Sequence, residues 1–145
     1  MSGPGERAGE RPLLAVSLAC FRDGAVLIAR RGRGANRGLW SLPGGGVEFG
    51  ETAAEAARRE FFEETGAQAE ILGLADIVES IGRGPDGRVE RHAVILAFAG
   101  RLTGGEPAPT EEAEAIAWVS PDGLAAYEMT PDLARVVRRA AELAA

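Results

Sequence analysis

Apolar and polar positions change rhythm several times along this chain, and each change marks an element. Residues 13–21, LLAVSLACF, and 25–30, AVLIAR, are β-rich runs separated by RDG, which has hairpin-turn chemistry. Two antiparallel strands are expected there. The basic, Gly-rich segment 31–38, RGRGANRG, reads as a loop, and LWSLPGGGVEFGE as a short strand followed by a second Gly-rich loop. Residues 52–65, TAAEAARREFFEET, have helical composition, with Thr52 as cap, Glu55 at the capping-box position and Gly66 as stop. At 100° per residue, Ala54, Ala57 and Phe61 form a narrow apolar stripe expected to face the core. Ala53, Ala56, Glu60, Glu63 and Glu64 lie beside it, while Glu55, Arg58, Arg59 and Phe62 point away.

Beyond Gly66, residues 67–80 and 89–102 read as a second large hairpin around the loop GRGPDGR. A Pro/Gly/acidic loop follows at 103–114, then a strand AIAWVS, a short helix begun by Pro121, and a terminal amphipathic helix over 131–145. The apolar face of that last helix, Leu133, Val136, Val137, Ala140 and Leu143 or Ala144, packs over the sheet or forms a homodimer contact. The expected fold is α/β: a mixed sheet between helices, an α/β/α sandwich. Residues 1–12, polar and Gly/Pro-rich, read as a tail, and 13–145 as one domain.

Composition narrows the functional classes. With 22 acidic and 16 basic residues the net charge is −6, which argues against a protein relying on extended nucleic-acid contact. No apolar run is long enough to span a membrane or serve as a signal peptide. The single Cys20 sits in an apolar run, so it reads as a core residue and fits a reducing, cytoplasmic setting.

The helix at 52–65 carries the sharpest chemical signal. Glu60 and Glu64 are spaced i, i+4, where like charges repel by about 0.2–0.5 kcal/mol. Glu63 and Glu64 also sit at the negative end of the helix dipole. Something positive is expected close to them: a surface lysine, an arginine or a metal. In its frame the segment runs from Gly45 to Glu51, then Arg59-Glu60-Phe61-Phe62-Glu63-Glu64-Thr65-Gly66-Ala67, which is G-x5-E-x7-R-E-U-x-E-E-x-G-U with U apolar. This resembles the Nudix box, with every charged position and both glycines present; Ala67 is smaller than the usual aliphatic. The preceding GLWSLPGGGVE, the flanking hairpins and the late AWVS strand also resemble that family's layout, over most of 13–140.

The resemblance implies a metal-dependent hydrolase of nucleoside diphosphates linked to another moiety, using Mg²⁺, with Mn²⁺ as the alternative. It implies Glu63, Glu64 and Glu60 as metal ligands, joined by Glu48 and Gly45, with Glu51 and Arg59 in support. Oxygen-only donors one helical turn apart suit such an ion, whose remaining positions go to substrate phosphates and water. The glycines Gly44, Gly45 and Gly46 are expected to turn sharply and offer amides to phosphate. Arg31 and Arg37, with Arg30 and Arg33, are candidate phosphate contacts, and Trp40 either stacks on a substrate ring or packs. A general base comes from the box or from Glu111, Glu112 or Glu114, of which Glu112 and Glu114 are favoured. His92 is given no catalytic role. The substrate expected is ADP-ribose or a related nucleotide sugar, the alternatives being a MutT-like nucleoside triphosphate pyrophosphohydrolase and a non-catalytic nucleotide sensor.

Overall fold

The computed structural model describes residues 10–34 and 36–145, so most of the expected N-terminal tail lies outside the described residues. The elements run β1 (Leu13–Arg22), β2 (Ala25–Arg31), β3 (Trp40–Ser41), β4 (Gly44–Gly46), α1 (Ala53–Thr65), β5 (Gln68–Arg83), β6 (Val89–Gly104), β7 (Ala113–Val119), a 3-10 helix (Pro121–Ala126) and α2 (Leu133–Ala144). The RDG turn closes with Asp23 and Gly24 at φ 52 and 80, the left-handed pair that matches strand twist. It brings Phe21 opposite Val26.

Strand order is β3-β2-β1-β6-β5, with β4 added on β1 and β7 on β2. β1 runs parallel to β6 along its length, while the β5–β6 and β2–β7 pairs are antiparallel. The sheet is therefore mixed. Alternation along β1 sorts the core into two layers: Ala19 and Phe21 join Val26, Ile28 and α2, whereas Val16, Leu18 and Cys20 join Leu27, Phe61 and the α1 alanines. The helices thus cover opposite faces of the sheet, the α/β/α sandwich read from the sequence. Leu133, Val136, Val137 and Ala140 are buried on the sheet, so the packing reading holds for the terminal helix.

Two expectations are corrected. Gly44–Gly46 is not a sharp turn but a short strand, paired antiparallel with Ala15–Ser17. At Gly44 a side chain is excluded by space, since a Cβ would lie 2.2 Å from the Val16 carbonyl oxygen. The buried stripe of α1 is also rotated from the expected one. Ala56, Ala57, Phe61, Glu64 and Thr65 are buried, and Ala54 is only half-buried. The helix turns part of its carboxylate edge inward because Gly44 meets Glu64 with a hydrogen bond.

This topology opens a cleft. β1 pairs with β2 only at its end, Phe21 and Arg22, while nearer its start it pairs with β4; β2 meanwhile pairs with β3 through Ala29 and Arg30. The two strands diverge beyond their hairpin, and a cavity opens where they part.

Candidate active site

That cavity, about 150 Å³, is lined by Ala29, Arg31, Arg33, Ser41, Leu42, Gly44, Glu64 and Glu112. Its acidic wall comes from α1. Thr52 Oγ1 accepts the Glu55 amide at the helix start, and Gly66, at φ 78, returns its N–H to Phe62 O at the end. Between these caps Glu60 and Glu64 lie on consecutive turns.

Glu64 is 8% exposed and accepts the Gly44 N–H at 2.7 Å. Burial, reinforced by the charges of Glu60 and Glu112 and only partly offset by Gly44 and Arg31, pushes its carboxyl up to about 8. Burial also raises Glu60, against the opposing hydrogen bond from Arg59. The Glu60 carboxyl lies over the backbone of Gly45, where a Cβ would come within 2.5 Å of its carbon. Gly45 is therefore a cradle for a carboxylate.

Arg59 is the positive group that the charge pattern requires. Its Nε and Nη2 donate to the two oxygens of Glu51 at 2.7 and 2.9 Å, a bidentate fork. Nη1 donates to Glu60 at 2.9 Å and Glu63 at 3.2 Å, and Nη2 also donates to the Gly46 carbonyl at 3.0 Å. Glu48, largely exposed, is 3.8 Å from Nη1. Hydrogen bonding from Arg59 holds Glu51 below the usual carboxylate range, and the surrounding carboxylates hold Arg59 firmly protonated. One arginine thus faces four glutamates, leaving the cluster short of positive charge.

A divalent cation fits this donor set: hard oxygens with excess negative charge, two carboxyls raised chiefly by burial, and a glycine over which one of them lies. Among the described residues no three acidic, His or Cys groups already converge on one point, because Arg59 draws Glu51, Glu60 and Glu63 towards itself.

The opposite wall comes from two loops. Arg31 Nε is buried and has no hydrogen-bond acceptor among the described residues, and Arg33 lies 3.5 Å from Glu111 and 4.0 Å from Glu112. The loops meet at backbone level, where Gly32 N–H donates to Glu112 O at 3.1 Å and a Cβ on Gly32 would strike Glu111 O at 2.3 Å. Thr110 fastens the acidic loop to the helix: its hydroxyl donates to Glu64 O at 2.8 Å and accepts the Ala113 N–H at 3.3 Å. Ala108 N–H caps Thr65 O at 2.9 Å. Two otherwise orphan carbonyls ending α1, those of Glu64 and Thr65, are thereby satisfied, and Glu112 is brought to the cavity.

The candidates from the sequence therefore divide. Glu64, Gly44, Arg31 and Glu112 line the cavity, with Glu60, Glu63, Glu51 and Arg59 in the adjoining network and Glu48 at its rim. Glu114 turns away, its carboxylate 2.8 Å from Arg30 Nε. Arg37 is exposed and lines nothing here. Trp40 packs edge-on against Tyr127 at 5.1 Å and is not among the residues lining the cavity. The Gly44 amide is occupied by Glu64, and Gly45 and Gly46 stand opposite Val16 and Ala15 in the β1 ladder. Thr110, Gly32, Ser41 and Leu42 were not singled out from sequence. Only the helix end, whose carbonyls need donors from elsewhere, hinted at Thr110.

The chain matches the NUDIX domain family over residues 11–140. An ADP-ribose pyrophosphatase of Methanocaldococcus jannaschii is 36% identical over 102 residues, 70% of this chain and 60% of that protein. The nucleoside triphosphatase NudI of Escherichia coli is 32% identical over 123 residues, 80% of this chain and 87% of that one. A crystal structure of a MutT NUDIX hydrolase from Burkholderia pseudomallei superimposes with a TM-score of 0.79 at 30% identity, covering 90% and 98% of the two chains. With a matching domain, a matching fold and a complete set of box carboxylates, the chain belongs to the NUDIX domain family and is a pyrophosphohydrolase of the Nudix type.

Proposed function

We propose that this hydrolase cleaves the pyrophosphate bond of ADP-ribose or a related nucleotide sugar, giving a nucleoside monophosphate and a sugar phosphate. The observation that carries the reading is the cavity itself. Arg31, whose buried Nε has no acceptor among the described residues, lines the same space as Glu64 and Glu112, so a guanidinium for phosphate oxygens and a cation-binding acidic wall would meet at one place. The similarity to an ADP-ribose pyrophosphatase supports the choice of substrate.

Glu60, Glu63 and Glu64 would hold Mg²⁺ or Mn²⁺, with Glu48 and the Gly45 carbonyl at its edge. When bound, the cation neutralises phosphate charge and acidifies water. Arg31 and Arg33 bind the diphosphate and fix its direction. Arg59, forked on Glu51, orients Glu60 and Glu63. Glu112, held at the cavity by Thr110, accepts the proton of the attacking water on its carboxylate. Among the described residues no helix is long and apolar enough to cross a membrane. We place the protein in a reducing, cytoplasmic setting, since its one cysteine is a buried thiol.

A second reading is a nucleoside triphosphate pyrophosphohydrolase, favoured by the similarity to NudI over 80% of this chain. The two separate on products. With Mg²⁺ and a panel of ADP-ribose, other nucleotide sugars, dinucleotides and normal or oxidised nucleoside triphosphates, AMP plus ribose phosphate with little triphosphate turnover supports the first. Monophosphate plus inorganic pyrophosphate from a triphosphate establishes the second. Glu63→Gln should abolish turnover with little loss of folded structure, and unchanged turnover would remove Glu63 from the mechanism.

A further inference from the structure

The outer side of α1 carries a second concavity that the hydrolytic site does not use. It lies between the C-terminal half of the helix and the base of the β5–β6 hairpin, where Gln68 opposes Gly104, and its volume is about 410 Å³. The lining is Arg58, Arg59, Phe62, Gln68, Ala69 and Thr103. It contains two guanidinium groups and no carboxylate, in a chain whose net charge is −6. Arg58 makes no ion pair or hydrogen bond with its side chain among the described residues, and the Gln68 and Thr103 side chains are equally unengaged. Phe62, one helical turn after Arg58, exposes 53% of its surface beside them.

We propose that this groove is a second binding site, for a nucleoside monophosphate, distinct from the hydrolytic cleft. Its components match the two halves of such a ligand. Arg58, whose guanidinium is unengaged among the described residues, supplies the cationic donors for a phosphate group, while the five N–H groups of Arg59 stay on Glu51, Glu60, Glu63 and the Gly46 carbonyl. The Phe62 ring gives a planar apolar face on which a base can stack. The Gln68 carboxamide offers a donor and an acceptor to the edge of that base, and the Thr103 hydroxyl either kind of bond. Arg59 lines the groove while its Nε, Nη1 and Nη2 hold Glu51, Glu60 and Glu63. The groove and the acidic cluster are therefore in contact through one side chain. The inference is independent of which substrate the cleft hydrolyses.

The test is two-dimensional ¹H–¹⁵N NMR of the full chain titrated with AMP, with inorganic phosphate and adenosine as separate arms. AMP should shift the amides of Arg58, Phe62, Gln68, Ala69 and Thr103 in a saturable manner, while phosphate and adenosine alone move them little at equal concentration. Arg58→Ala and Phe62→Ala should each weaken that response by about tenfold in dissociation constant. Any response at Ser41 and Gly44 in the cleft should stay unchanged in both variants. Both side chains are exposed, so the remaining amides report that the fold is kept. Movement confined to the cleft amides, or a groove response undiminished in both variants, overturns the site. Equal saturation by phosphate or by adenosine alone overturns its assignment to a nucleotide.

Discussion

Two arginine–carboxylate clusters lie on opposite faces of the sheet, and their charge balances are opposite. On the α2 face the side chain of Asp76, 7% exposed, receives Arg135 Nε at 2.9 Å and Arg139 Nη1 at 2.7 Å. Burial would raise its carboxyl, but the hydrogen bond from Arg135, the Ile77 amide and the two nearby cations hold it below the usual range. On the α1 face one arginine serves Glu48, Glu51, Glu60 and Glu63, and Glu64 is pushed up to about 8. The first cluster is a fastener, complete in itself, that joins α2 to β5. The second is stable only around Glu51, and its remaining carboxylates are left to a charge from outside. Clustered acids therefore signal chemistry only when local cations fail to balance them.

The comparison can be broken at four points. The largest effect is expected at the loop: Glu112→Gln should lower kcat by about 10²–10⁴-fold, the range for losing a general base. Glu114→Gln, outside the cavity, should leave kcat within about twofold by the same measure. Equal losses from both would mean that cavity lining does not identify the base. Next, Arg59→Ala should reduce activity by about 10–100-fold, as loss of an orienting partner does. Arg59→Lys should recover little, because an ammonium cannot fork on Glu51. Full activity in the lysine variant would show that charge alone suffices.

The balanced cluster should respond in stability. Asp76→Asn is expected to cost about 1 kcal/mol, some 2–4 °C in Tm for a chain of this size, with kcat unchanged. Because the folded pKa of Asp76 is depressed, its contribution is present above its unfolded value near 3.9 and lost as pH falls through the folded one. The Tm difference between wild type and variant should therefore shrink below about pH 4. A difference that grows there would reverse the sign assigned to the ion pairs. The smallest effect is at Cys20, whose thiol burial pushes up to about 12. The folded protein should resist alkylation at pH 8, and rapid labelling would show that the core layer under α1 opens.

The chain's rhythm made most of the fold legible. The RDG turn, the caps Thr52 and Gly66, and the face of α2 are local signals, and each is where its chemistry placed it. The box spacing made the acidic wall legible for the same reason, since Glu51 to Glu64 lie within one turn-helix segment. What escaped depends on contacts distant in sequence. Three glycines in a row read as a turn, yet Gly44–Gly46 are extended because β1 supplies a ladder. Glu112 and Glu114 were indistinguishable in an acidic loop. A register irregularity opposite Arg30 and Arg31 pairs them with Ala115 and Ala113, so that Glu114 is the residue skipped and lies beside Arg30. The roll of α1 was likewise set by the Gly44 amide meeting Glu64 and not by the alanine pattern.

The contact between Gly45 and the Glu60 carboxyl has a consequence for how this protein can change over generations. A methyl group at Gly45 would lie 2.5–2.6 Å from all three atoms of that carboxyl, the mobile end of its side chain, so an alanine there would have to turn the Glu60 carboxyl off the backbone. Glu60 could shorten to aspartate and free the space, after which alanine at Gly45 would become tolerable. Arriving first, that alanine would displace the carboxyl from its place over the backbone. Geometry thus favours one order of the two steps and couples the residue that opens the motif to one in its helix.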